Sequence, residues 1–315
     1  MYHPYLRGKQ YDLITVKEMA PLMATSGFRP IIEPVRETLT GLNKALDAVV
    51  AAHGQAIVIV NPHHGDLSGA GDSLTELLNG AYLELPSISA GILLKQETTL
   101  KEALECYENH KAHNPVFIHA GFGAPKSLAE NLGEFTKNNR HVFLDNLSMK
   151  LYQKHFKGAF RVLVKDGFKR QKRNSDYPDL EPFSDLHATF SEEGMDGFGD
   201  FLIVGDEFSE SGGPAYAVAI HLTFIDHEQD DMMFIYHFKS NQQATPKDPA
   251  GKFAEALAKM MAIVDAPGSK VLDTKAIKEF RALHEEGHYP GLGYVKKLSM
   301  NHHIETLADY FAHSA

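Results

Sequence analysis

The chain has 315 residues, of which 43% are hydrophobic and 23% charged, with a formal net charge of −10. That balance supports a large core and argues against disorder, while the acidic excess argues against coating long nucleic acid by bulk electrostatics. No apolar run approaches the roughly 20 residues of a membrane span, residues 1–12 show no basic head followed by an apolar stretch, and the lone Cys106 cannot form an internal disulfide, so a cytoplasmic protein is expected. A short strand is expected at 5–9, then a helix over 12–25 with Leu13, Val16, Met19 and Ala20 on one buried face. Residues 29–35 read as a strand shortened by Pro30 and Pro34. Residues 39–53 follow as a helix stopped by Gly54, and 56–60 as a strand buried on both sides. A helix at 72–79, a strand at 88–95 and a helix capped by Thr98 or Thr99 continue the alternation. Strands at 116–119 and 142–145 flank a helix at 127–137, and strands at 160–165 and 201–205 come after. In the last third, 215–225 and 232–239 alternate around a polar turn like a long hairpin, and helices cover 249–264, 274–286 and 300–312.

Counting the first short segment, the strands up to 205 reach eight, the closure number of a barrel. The pattern predicts an α/β fold, a TIM-like (β/α)8 barrel whose core spans about 1–206. The hairpin 215–239 and the helices of 249–315 are expected to pack on it within one domain, 1–315. The alternative is an open doubly wound sheet. It lacks support from glycines, because Gly121 and Gly123 after His119 supply only part of a dinucleotide-binding turn.

Tyr5, Leu6, Lys9 and Gln10, followed by Pro30, Ile31, Ile32 and Glu33, together with the closing His302 and His303, resemble the bacterial and phage family of Beta proteins. The likeness covers nearly the whole chain and is most specific at its ends. It places the sequence in a cellular branch distinguished by Lys165, Asp166, Gly167 and the segment 197–206. The resemblance implies a barrel-like fold and an association with mobile elements or phage defence, where a protein partner would be met. It implies no particular activity.

In parallel α/β folds the carboxyl ends of the strands form the functional face. Those ends carry Arg7 or Lys9, Glu33, Asn61 with His63 and His64, Lys95, His119, Asp145, Lys165 with Asp166, and Asp206. Lys95 and Lys165 suit the charge of a phosphate or carboxylate. His119 and Asp145 end adjacent repeats and are expected to pair for proton transfer, with the carboxylate setting the tautomer. Glu33 and Asp206 complete the expected catalytic set. Arg7, Lys9, His63, His64, Asp166, Lys169, Arg170, His302 and His303 form the expected substrate-binding set.

A divalent metal is a further option, with His63, His64, Asp66, His119, Asp145, Asp206, His302 and His303 as candidate ligands. A two-metal amidohydrolase site does not fit, because the first strand reads His3, Pro4, Tyr5 and lacks the paired histidines. A glycosidase pair fits less well than a phosphodiesterase-like site, since lysines stand at two strand ends where carboxylates would be needed. These features favour a hydrolase or lyase acting on a small anionic substrate. The competing expectation is a non-catalytic module that holds nucleic acid or protein through the basic cluster Lys165, Lys169, Arg170, Lys172 and Arg173. The glycine-rich, acidic segment 197–213 is expected either to cover the mouth or to connect to the hairpin.

Overall fold

The structure, a computed structural model, describes residues 1–83, 85–210 and 216–313. The chain divides into two compact units, Met1–Asp166 with Thr189–Phe201, and Gly167–Ala188 with Leu202–Ala315. In the first unit β1 (Tyr2–Leu6), β2 (Ile31–Ile32), β3 (Ala56–Ile59), β4 (Ile88–Lys95), β5 (Val116–Ala120), β6 (Arg140–Leu144) and β7 (Phe160–Val164) pair in parallel in chain order. Next in sequence, β8 (Leu180–Ser184) belongs to the second unit, and β9 (Gly197–Asp200) closes the ring between β7 and β1. The result is a TIM-like (β/α)8 barrel. Its connecting helices are α1 (Gln10–Thr25), α2 (Thr40–Ala51), α3 (Asp72–Ala81), α4 (Leu100–His110), α5 (Pro125–Leu132), α6 (Phe135–Asn138) and α7 (Lys150–Gln153).

The last barrel strand is not the expected apolar run 201–205 but the glycine-containing segment before it. A Cβ on Gly199 would lie 2.2 Å from the carbonyl oxygen of His3, so only glycine lets β9 come this close to β1. The segment read as a mouth-covering loop is therefore, over 197–200, part of the barrel wall. Its end at 212–213 lies outside the described residues. Prolines explain why β2 pairs over only two residues: Pro30 and Pro34 bracket it.

Alternation along the strands decides which side chains fill the barrel. One continuous buried cluster joins Tyr5, Ile31, Ile57, Ile59, Leu93, Val116, Ile118, Ala120, Val142, Leu144, Val162, Val164 and Phe201. These are the inward positions. The residues between them, Phe117 and His119 on β5 and His141 and Phe143 on β6, face the outer layer, where Phe117 stacks on His141, His119 stacks on Phe143, and both histidines meet the Phe156 ring at a tilt.

In the second unit β10 (Ala219–Asp226) and β11 (Met232–Lys239) form the expected hairpin, and β8 adds antiparallel to β11. With α8 (Leu186–Thr189), α9 (Pro249–Val264), α10 (Lys275–Glu286) and α11 (Leu292–His313) they complete this unit, whose core includes Leu222, Phe224, Phe253, Met260, Phe280 and Leu298. The terminal helix starts at Leu292, earlier than expected, so His302 and His303 sit in its middle and not in its first turn. Among the described residues no helix is long and apolar enough to cross a membrane.

Candidate active site at the mouth of the barrel

The inward register continues past the strand ends. Two residues beyond Tyr5, Ile31, Ile59 and Leu93 come Arg7, Glu33, Asn61 and Lys95, whereas β5, β6 and β7 end inward on Ala120, Leu144 and Val164. The mouth is thus polar over β1–β4 and apolar over the other half. Asn61 extends the sheet at this edge by accepting from the Leu93 amide at 2.8 Å and donating to its carbonyl at 2.9 Å.

Glu33 is the centre of the polar half and is fully buried. One carboxylate oxygen accepts from the Tyr5 hydroxyl at 3.0 Å and from the Arg7 guanidinium. The other accepts from the backbone amides of His63 and His64 at 3.0 and 3.2 Å and lies 2.8 Å from Nδ1 of His64. Burial pushes the Glu33 carboxyl up, but the His64 hydrogen bond and the Arg7 charge outweigh it and hold the group down at about 2. Glu33 is therefore an anion that accepts from His64 when Nδ1 carries the ring proton; the Arg7 guanidinium lies 3.3 Å from the same nitrogen. Arg7 lies over the rings of Tyr5 and Phe201, 5.0 and 5.4 Å from their centres, which fixes the guanidinium in place. Gly8, with φ of +61°, lets the following turn pass directly over the Glu33 carbonyl, so Arg7 and Glu33 are brought together by backbone as well as charge.

The neighbours are ionic but wetter. His63 meets the ring of His64 edge-on at 4.9 Å and lies 3.3 Å from the Glu97 carboxylate. Its pKa is lowered, first by partial burial and then by the charge of Lys95. Lys95 is half-buried at the end of β4. Glu97 carried no expectation, and its only sequence signal is its place two residues past a strand end.

The expected pairing of His119 with Asp145 does not form. His119 faces away from the barrel interior, fully buried, with Nδ1 2.7 Å from the Tyr152 hydroxyl and Nε2 2.9 Å from Nδ1 of His141. Nε2 of His141 donates to the Thr136 carbonyl at 2.9 Å. That last bond fixes the direction of the chain: His141 must accept from His119, which must accept from Tyr152. Both rings are neutral, and burial holds the pKa of His119 well below its ordinary value and that of His141 at about 4. Asp145 is half-buried and Lys165 exposed, each one residue past an inward position and so out of register with Glu33 and Lys95. Asp166, exposed, ends the first segment of this unit. Lys9 serves as the N-cap of α1, its amide donating to Asp12 at 3.3 Å.

The remaining expected residues belong to the second unit. Asp206 is half-buried there. His302 is fully buried, its Nε2 donating to the Thr223 carbonyl at 2.8 Å while Nδ1 accepts from Thr274, and burial lowers its pKa to about 4. His303 bonds the Thr223 hydroxyl at 3.0 Å. Both histidines tie α11 to β10. In the basic cluster Lys169 pairs with Glu181 at 3.2 Å and Arg170 with Glu207 at 3.2 Å, which neutralises two of its cations. Among the described residues no three His, Cys, Asp or Glu side chains gather in a way that could hold a metal ion; Asp66 instead pairs with Arg36.

Chemically, the mouth offers two neighbouring imidazoles, one of them against a buried anion, and a half-buried lysine. No protein-family model matches the chain, and no curated protein matches it.

Proposed function

We propose that the barrel is a proton-transfer enzyme of the hydrolase or lyase type, acting on a small substrate that bears a phosphate or carboxylate. The observation that carries this reading is the 2.8 Å contact between buried, ionised Glu33 and Nδ1 of half-buried His64. With the proton held on Nδ1, Nε2 is the nitrogen that exchanges protons, and the imidazolium formed on protonation is stabilised by Glu33. In hydrolysis Nε2 takes the proton of the attacking water and returns it to the leaving oxygen. In elimination it takes the proton beside the substrate's acidic group, the C–H electron pair forms the double bond, and the oxygen leaving group departs with the proton that Nε2 returns. Lys95 supplies the positive charge for the substrate anion. Glu33 and Arg7 are positioning residues, since both are engaged with each other beneath the imidazole.

The test is turnover of a panel of phosphomonoesters, phosphodiesters and carboxylate esters, together with a small-metabolite extract followed by mass spectrometry. The wild type is expected to convert at least one compound, and His64→Gln to lose roughly 100-fold or more of that rate, within the usual range for an acid–base residue. Conversion that persists at the wild-type rate in His64→Gln, or an extract left unchanged by the wild type, would refute the reading.

A further inference from the structure

We infer that the first unit also carries a separate site, between α1 and α2, for an organic anion: an apolar body bearing a phosphate, sulfonate or carboxylate. Helix α1 buries Val16, Met19, Ala20 and Met23, but a second face at i, i+3, i+4 and i+7, made of Gln10, Leu13, Ile14 and Lys17, stays out of the core. Leu13 was expected on the buried face and is instead half-exposed with Ile14. Both line a cavity of about 500 Å³ whose other walls include Pro34, Val35, Leu39 and Leu42. That volume is in the range of small-molecule sites. The apolar walls account for the body of the ligand.

Charge accounts for its sign. Lys17 and Lys44 stand exposed at the rim, and neither makes an ion pair among the described residues. Arg36 joins them, held among the described residues by a 3.6 Å contact with Asp66 in which both side chains are about half in solvent. Three cations against one carboxylate, on a chain with a net charge of −10, make a local field opposite to that of the whole molecule. The first turn of α2 lines the same cavity through Leu39 and Gly41 and has no side-chain cap, so its amides add to the positive end. The side chains of Arg7, Glu33 and His64 are not among those lining the cavity, so this site stands independently of the acid–base reading.

The probe is phenyl phosphate, titrated into the full chain while the methyl resonances of Leu13, Ile14, Leu39 and Leu42 are followed by NMR. These methyls are expected to shift in the wild type and in His64→Gln alike. Lys17→Ala with Lys44→Ala should weaken the effect roughly tenfold or more, about the consequence of losing 1.4 kcal/mol. Phenol, without the anion, and inorganic phosphate, without the body, should each bind more weakly. Leu39→Trp, which fills the cavity, should abolish the shifts, with circular dichroism confirming the fold. The inference is overturned if the wild-type methyls do not move, if the double lysine variant titrates like the wild type, or if the shifts vanish in His64→Gln and persist in the lysine variant.

Discussion

Glu33→Gln keeps the shape of a fully buried side chain and removes its charge, so it isolates what the anion contributes to the mouth. The Glu33 carboxyl is held at about 2 against an ordinary 4.5. A depression of that size contributes about 3 kcal/mol of stability at neutral pH. Because the folded value is the lower one, this contribution is full above pH 4.5 and is lost as the pH falls towards 2; by pH 3 about 2 kcal/mol of it is gone. The substitution also puts an amide nitrogen where an oxygen accepts two or three donors, and leaves the Arg7 side chain, 10% exposed, without its counter-charge. Removing one partner of such a buried pair costs about 3–5 kcal/mol. Urea denaturation at pH 7, followed by circular dichroism, should therefore show a loss of about 4 kcal/mol, and adding Arg7→Met should restore part of it. At pH 3 the gap between wild type and Glu33→Gln should narrow by about 2 kcal/mol through protonation of the Glu33 carboxyl itself. A loss below about 1 kcal/mol, or a gap unchanged between the two pH values, would refute the account of Glu33 as a buried, multiply bonded anion.

Two further outcomes follow from the same electrostatics. Burial holds His141 at about 4, below the ordinary 6.5, so the unfolded chain takes up its proton first. Stability is then full above pH 6.5 and falls by about 3 kcal/mol as the pH drops to 4; imidazole NMR at pH 5 should find His119 and His141 neutral, and finding either protonated contradicts the directional chain. Lys95→Met removes the cation that helps lower the pKa of His63, so an NMR titration should find His63 moved upwards, and an unchanged midpoint would place Lys95 too far away to act at the mouth.

The barrel was legible because its order of strand and helix is written in the apolar runs; β4 appears with the limits that its composition suggests, and the hairpin of β10 and β11 follows its alternation closely. What the runs do not reveal is parity. A strand buried on both faces shows no alternation, so a polar residue at its end can face either way. Lys95 ends β4 in the inward register of Leu93, whereas His119, one residue beyond inward Ile118, turns outwards into an aromatic layer. The pairing of Glu33 with His64 was hidden for a second reason: β2 is two residues long and His64 lies in the loop after β3, so their meeting depends on a loop path that no periodicity reports. The closing strand escaped notice because Gly197 and Gly199, required by its approach to β1, are the residues that usually mark a loop.

Three sets of histidines show why burial alone does not identify a proton carrier. His302 and His141 each donate from Nε2 to a backbone carbonyl and receive a hydrogen bond at Nδ1, so both nitrogens are committed in the neutral ring. A proton added to either would place a charge on a buried ring among neutral partners, and burial accordingly drives both pKa values down to about 4. His64 differs in the partner of its Nδ1. That partner is the Glu33 carboxylate, 2.8 Å away and held ionised, with the Arg7 guanidinium 3.3 Å from the same ring nitrogen. His227 against Asp231 at 2.7 Å and His63 against Glu97 at 3.3 Å share the carboxylate contact, but those pairs are largely in solvent, whereas the Glu33 carboxylate under His64 is fully buried.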